Sequence, residues 1–413
     1  MERYLVVSSD GHAGPQPEVY RDYLDPQYRE VFDLALPIQL EMTERMERFF
    51  LIDEINADWR EGRAHELSGA WDHDERIRVI DADGICAEVL FPDGVTERNA
   101  PPFGAGFSMP TEGVDGDLQW AGSRAHNRWM AEFVQMAPER RIGLACVPAL
   151  WDVDRSVEEI RWARENGLRG IILPVTWGRH APYHHRKYDP MWRACEELRM
   201  PVHFHSGPSP MEDYFGSLSL EAEDETADRP GAVGAYISEV CFFCVRPVTF
   251  MIWGGVFERF PDLRVAITEG TTVWVPEYLR LLDQRYDVTH YAQKLGDYRS
   301  HMSMKPSEYF HRNVALGASC MPRREAELRH ETGIDSIMWG SDFPHPEGTW
   351  PYTRKQMTDT FTALPDDEIV AMLGGNAVRF YGLDEKKLEP IAQRIGPERS
   401  SFLGEPSEPD ARG

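Results

Sequence analysis

The sequence is short of basic residues: 44 Lys and Arg stand against 69 Asp and Glu, leaving a net charge of −25 over 413 residues. Nucleic acids and anionic membranes are held by a basic face that releases their counterions. Neither is expected as a partner, which leaves a small molecule. Apolar runs of the roughly 18 residues needed to cross a bilayer are not evident, nor is the basic start, apolar middle and cleavage site of a secretory signal. The expectation is a soluble, cytoplasmic protein. Its six cysteines are scattered through apolar segments, as buried thiols of a reducing compartment are. Cys241 and Cys244 form the one CxxC, and with no second pair beside them core packing is a better reading than zinc.

What is present is an alternation. Short apolar runs at 4–9, 85–91, 142–148, 168–175, 201–205, 263–268, 314–319 and 336–340 read as strands. Helical patterns fill 118–136, 153–166, 188–198, 234–260, 275–295, 323–332 and 353–363. Several runs are continuously apolar, the mark of a parallel sheet covered on both faces. Eight strands alternating with helices predict an α/β fold, a distorted (β/α)8 TIM barrel whose site lies at the C-terminal strand ends. An open doubly wound sheet is the alternative, but no glycine-rich phosphate fingerprint follows the first strand. One catalytic domain is expected over 1–396, with a helical, lid-like insertion at 16–80 and an acidic loop at 212–230. A disordered tail rich in Ser, Pro and Glu is expected over 397–413.

Four strand ends carry polar residues that suit a metal. Asp10-Gly11-His12 follows the first strand, His203 and His205 lie on the fifth, Glu269 follows the sixth, and Asp342 and His345 follow the eighth. Residues two apart on a strand share a face, so Asp10 with His12 and His203 with His205 can each point into the barrel. Imidazole and carboxylate together favour zinc, iron or manganese over magnesium or calcium.

In order along the chain, Asp-x-His, Pro-Val-x-Phe-His, Phe-Pro-Asp-Leu-Arg-Val, Gly-Ser-Asp-Phe-Pro and Gly-Gly-Asn-Ala resemble the amidohydrolase superfamily. The similar branch is that of aminocarboxymuconate-semialdehyde decarboxylase and the resorcylate decarboxylases, over about residues 4–383. The resemblance implies a divalent metal held by Asp10, His12, His205 and Asp342, with Asp342 also handling a proton. It implies either hydrolysis by metal-activated water or non-oxidative decarboxylation of a small organic acid or its derivative, and a homo-oligomer or a pairing with a homologous subunit.

Two departures bear on the number of ions. Glu269 stands where those decarboxylases carry a histidine, and 171–175 lacks the lysine that bridges two metals in binuclear relatives. Glu269, His290 and His345 are candidate ligands of a second ion. Alternatively His290 caps a helix, His345 orders a loop and Glu269 pairs with an arginine. One or two ions are expected, with Asp342, His205 and Glu269 as the catalytic residues. Two iron ions, or manganese with iron, would make a monooxygenase the alternative activity. Trp177, Arg179 and His180 in the basic loop after the fourth strand, together with His203, are candidate substrate contacts; the loop reads equally as a solvated connection.

Overall fold

The computed structural model describes residues 2–50, 55–93, 98–106, 108–111, 113–215, 231–288 and 294–404. Nine short parallel strands run β1 Val7–Ser8, β2 His12–Ala13, β3 Ala87–Pro92, β4 Arg141–Cys146, β5 Gly170–Ile172, β6 Val202–His205, β7 Val265–Thr268, β8 Val314–Ser319 and β9 Ile337–Gly340. Strands β1 and β3 to β9 pair in that order, and β2 pairs with β3. β1 and β2 are therefore two pieces of one barrel strand, broken at Ser9 and Asp10. The backbone N–H of Ser9 donates to Trp339 O at 2.8 Å and Gly11 bridges Phe343, which joins the last strand to the first. The result is an eight-stranded α/β barrel, as expected. Gly340 permits that closure at the rim: a Cβ there would come within 2.8 Å of Asp10 Cβ.

Strands β3 and β4 are buried along their whole length. That is why they read as mostly apolar runs without alternation, broken only by Glu88 and Arg141. Their flanking helices begin where the sequence supplies an acceptor. Asp115 and Asp152 cap Gly116–Gln135 and Val153–Glu165 by accepting from backbone N–H groups in the first turn. The helix expected over 234–260 is instead two, Ala232–Trp253 and Val256–Arg259, because Gly255 turns left-handed between them at φ 66°.

Ala232–Trp253 also corrects the expectation about apolar runs. It is 22 residues long, with an 18-residue window of mean hydropathy 1.5, enough in length and composition to cross a membrane. Core helices pass the same test, and Cys244, Val248, Met251 and Ile252 from this helix are buried in the barrel's hydrophobic core. Cys244 Sγ lies against the Cys241 carbonyl, and both thiols are free.

The insertion after the first strand contacts the rim. Trp59 packs edge-on against Trp350 at 5.1 Å and its Nε1 donates to Pro344 O, on the loop after β9. Of the acidic loop at 212–230, residues 216–230 lie outside the described residues. The expected disorder from 397 is not met over 397–404. The Tyr4 N–H donates to Pro397 O, Arg3 pairs with Glu398, and Phe402 packs against Tyr4 at 5.0 Å. An apolar ring and an ion pair within a polar-looking tail are what anchor it to the first strand.

Candidate metal centre

Strand ends β1/β2, β6 and β9 converge on one buried cluster. His12 Nε2 lies 3.5 Å from Asp10 Oδ1 and 3.2 Å from Asp342 Oδ1, and His205 Nε2 lies 3.4 Å from the same Asp10 oxygen. All four side chains are buried. The backbone holds the two rims together: the Asp342 N–H donates to Asp10 O at 3.0 Å and the His12 N–H to Phe343 O at 2.8 Å. Beneath them, Arg76 and Glu88 form a buried bidentate pair, and Arg76 also donates to His12 O at 2.7 Å. Ser319 Oγ donates to Asp10 Oδ2, fixing that carboxylate from the side.

The donor set fits a divalent transition ion. His205 Nδ1 lies 2.9 Å from the Ser206 carbonyl. Since a carbonyl only accepts, this places a proton on Nδ1 and aims Nε2 at Asp10. Facing that carboxylate, Nε2 holds a proton in the ion-free cluster and is free to give its lone pair to a cation in its place. Neither Asp342 oxygen accepts a well-aligned hydrogen bond among the described residues, although Oδ1 stands 3.2 Å from both His12 Nε2 and His345 Nδ1. Buried carboxylates left so are rare unless an ion is their partner. Ligand atoms of Asp10, His12 and His205 lie within 4.8 Å of one another, as do those of two adjoining groups: His12, Asp93 and His345, and Asp342, His345 and Glu347.

Charges in the cluster are strongly mutual. Burial acts to raise the Asp10 carboxyl, but His205 and His12 outweigh it and hold it far below the usual range. For Asp342 the same burial is outweighed by His345 and His12, and the shift is again downward. Burial would lower His205, yet the Asp10 carboxylate, helped by Glu269, lifts it to about 9. Glu269 rises to about 7, first through burial and then through the Asp342 charge.

Other expected residues fall elsewhere. His203 faces the barrel interior one layer below His205, with Nδ1 on the Ile171 carbonyl at 3.0 Å and Nε2 on the Tyr381 hydroxyl at 2.9 Å. Burial lowers it to about 4. Both nitrogens are engaged inside the core, so the expected substrate contact becomes a core histidine. Glu269 accepts from Ser206 Oγ at 2.7 Å and stands 3.5 Å from His205 Nδ1, the nitrogen already directed at Ser206; it belongs to none of the three groups. His290 lies outside the described residues. Trp177 packs edge-on against Phe250 at 4.9 Å with Arg246 over its face, His180 packs edge-on against Trp151, and Arg179 is exposed.

Asp93 and Glu347 were not anticipated. Asp93 follows β3 as Asp10 follows β1, so the strand-end rule applied to all eight strands would have found it. Glu347 sits two residues beyond His345 in a loop, where no periodicity points. Asp93, Glu269, Cys320 and Asp342 all have positive φ, from 50° to 104°. Strain of this kind in residues with side chains concentrates at functional sites.

The sequence matches the model of the amidohydrolase family over residues 87–383. The chain is 24% identical over 332 residues to a 2-amino-3-carboxymuconate-6-semialdehyde decarboxylase of Dictyostelium discoideum, covering 78% of this chain and 79% of that one. The fold is similar to a manganese-bound 5-carboxyvanillate decarboxylase of Novosphingobium aromaticivorans, with TM-score 0.63, 20% identity and coverage of 92% and 97%. It is also similar to a dihydroxybenzoic acid decarboxylase of Polaromonas, bound to manganese and 2-nitroresorcinol, with TM-score 0.62, 19% identity and coverage of 94% and 99%. The oxygenase alternative finds no support in these relatives. The barrel, the cluster of metal-type side chains at its rim and the match over most of its length agree: the chain belongs to the amidohydrolase family.

Proposed function

We propose that the protein is a metal-dependent, non-oxidative decarboxylase of a small unsaturated or aromatic carboxylic acid. The observation that carries this is the buried cluster of Asp10, His12, His205 and Asp342, in which neither Asp342 oxygen accepts a well-aligned hydrogen bond among the described residues. The relatives named above, decarboxylases of aromatic and muconate acids, support the reading. When bound, a divalent ion supplies a Lewis-acid grip on substrate oxygens.

The residues supply position and protons. Asp10 is held by Ser319 and faces His12 and His205, which fixes the cluster before substrate arrives. Asp342 lies at the same rim and serves as the proton carrier. In the reaction the bond from carbon to carboxylate breaks, CO2 leaves, and the electron pair stays on the carbon, which then takes a proton that Asp342, itself ionised at rest, relays from Glu269, whose carboxyl stands at about 7. Glu269, half-buried beside His205, is the group through which that proton is replaced from solvent. A homo-oligomer and a cytoplasmic setting belong to the same reading, and the six free thiols suit a reducing compartment.

The test is CO2 release by manganese-loaded protein from a panel of hydroxybenzoic and carboxymuconic acids, run in D2O. Release with one deuterium at the vacated carbon is expected. A panel that yields no CO2, or yields only hydrolysis of matching amides and esters, overturns the proposal.

A further inference from the structure

A second set of metal-type side chains adjoins the first and shares one residue with it. His345 leaves the loop after β9, and its Nδ1 stands 3.2 Å from Asp342 Oδ1. Glu347 follows two residues later, and ligand atoms of Asp342, His345 and Glu347 lie within 4.8 Å of one another. Asp342 is fully buried and His345 is 8% exposed. Neither Asp342 oxygen accepts a well-aligned hydrogen bond among the described residues, and Oδ1 stands 3.2 Å from an imidazole nitrogen of each cluster, His12 and His345, as a carboxylate shared by two ions would.

The far side of His345 agrees. Its Nε2 faces Asp93 Oδ2 at 3.7 Å, and Asp93 is 1% exposed. A carboxylate behind an imidazole is the arrangement that orients a ligating histidine and keeps its other nitrogen for the ion. Glu347 is exposed, which opens the set to solvent on one side.

We propose that His345, Glu347 and Asp342 form a second divalent-cation site that shares Asp342 with the ion of Asp10, His12 and His205. The inference rests on reading that first cluster as a metal site. Two carboxylates and one imidazole suit manganese, iron or zinc better than calcium. Of the three ligands expected from sequence for a second ion, Glu269, His290 and His345, this site keeps His345: Glu269 accepts from Ser206 and belongs to no such group, and His290 lies outside the described residues.

The test uses the full chain, stripped with a chelator and reloaded with Mn2+, followed by metal analysis and electron paramagnetic resonance. Two manganese ions per chain with a spin-coupled multiline spectrum are expected. Glu347→Gln, at an exposed position that leaves folding intact, is expected to hold one ion with an uncoupled spectrum; His345→Gln should behave likewise. A saturated wild-type chain holding one ion, or Glu347→Gln still holding two, overturns the second site. If wild type holds one ion and still releases CO2, the proposed function stands and this inference alone falls. If it holds none, the first cluster falls and takes the inference with it.

Discussion

His12 and His345 stack face to face, ring centroids 3.9 Å apart and planes 25° apart, although one leaves the first barrel strand and the other the loop after the last. Two cationic imidazoles at that distance repel by about 4 kcal/mol at an effective dielectric near 20. The carboxylates of Asp10, Asp93 and Asp342 around them nevertheless favour positive charge. A divalent ion resolves the conflict, because it meets the carboxylates while both rings stay neutral and stacked.

Chelation should therefore cost stability as well as activity. A ligand bound only by the folded state adds about 4 kcal/mol at a thousandfold excess over its Kd. Treatment with a chelator is expected to lower the melting temperature and abolish CO2 release, with Mn2+ restoring both. Melting that does not respond to chelation would place the ion elsewhere.

Asp342→Asn keeps the shape of the side chain and removes its charge and its acidic proton. Loss of about 10²–10⁴-fold in kcat is expected, together with weaker metal retention by elemental analysis. Wild-type turnover in this variant would remove Asp342 from the chemistry.

Ser319→Ala tests the support behind Asp10. The hydroxyl donates to Asp10 Oδ2 and does nothing else in the cluster. Removing such an outer partner costs about 10–100-fold in metal affinity, so titration with Mn2+ should show a weaker Kd while the melting point of the stripped protein stays the same.

Arg76→Met leaves the buried Glu88 carboxylate without its bidentate partner, with only the Arg141 charge near it. Breaking a buried pair from one side costs about 3–5 kcal/mol, to be read from denaturant unfolding. The double variant Arg76→Met with Glu88→Leu should recover most of that stability. It should not recover metal affinity, because His12 O has lost its donor.

Asp83 lies away from the metal cluster, and burial lifts its carboxyl to about 7, with Thr353 donating to it. A raised carboxyl favours folding while protonated. Its contribution is full below pH ~4, the range of the unfolded group, and is lost as pH rises toward 7. The loss is on the order of 4 kcal/mol at most, at 1.36 kcal/mol per unit. Asp83→Asn should flatten the stability profile between those limits; an unchanged slope in denaturant melts across pH 4–8 would assign the dependence to other groups.

Much of the fold is local and so legible. Each strand from β3 to β9 lies where a short apolar run stood, because burial on both faces demands side chains that read alike wherever the strand is cut. The ends Asp10-x-His12 and His203-x-His205 were found by the two-residue repeat of a strand, which correctly puts each pair on one face. The repeat says nothing of depth. His205 reaches the rim cluster, while His203 points one layer lower, where Tyr381, 178 residues away, takes its second nitrogen.

The loop residues were harder to find because no period governs them. Glu347 joins Asp342 and His345 only through the path of the loop after β9. Pro397–Leu403 reads as tail until Tyr4 is placed beside Phe402. The sequence alone determined the barrel, the family and five metal-type residues at its rim, Asp10, His12, His205, Asp342 and His345, since these rest on short-range pattern and order along the chain. Only the tertiary structure decided which of them face one another, that Glu269 turns to Ser206, and that Asp93 and Glu347 stand beside His345. Those relations depend on closing the barrel, which brings Ser9 to Trp339 and Asp10 to Asp342 across more than 300 residues.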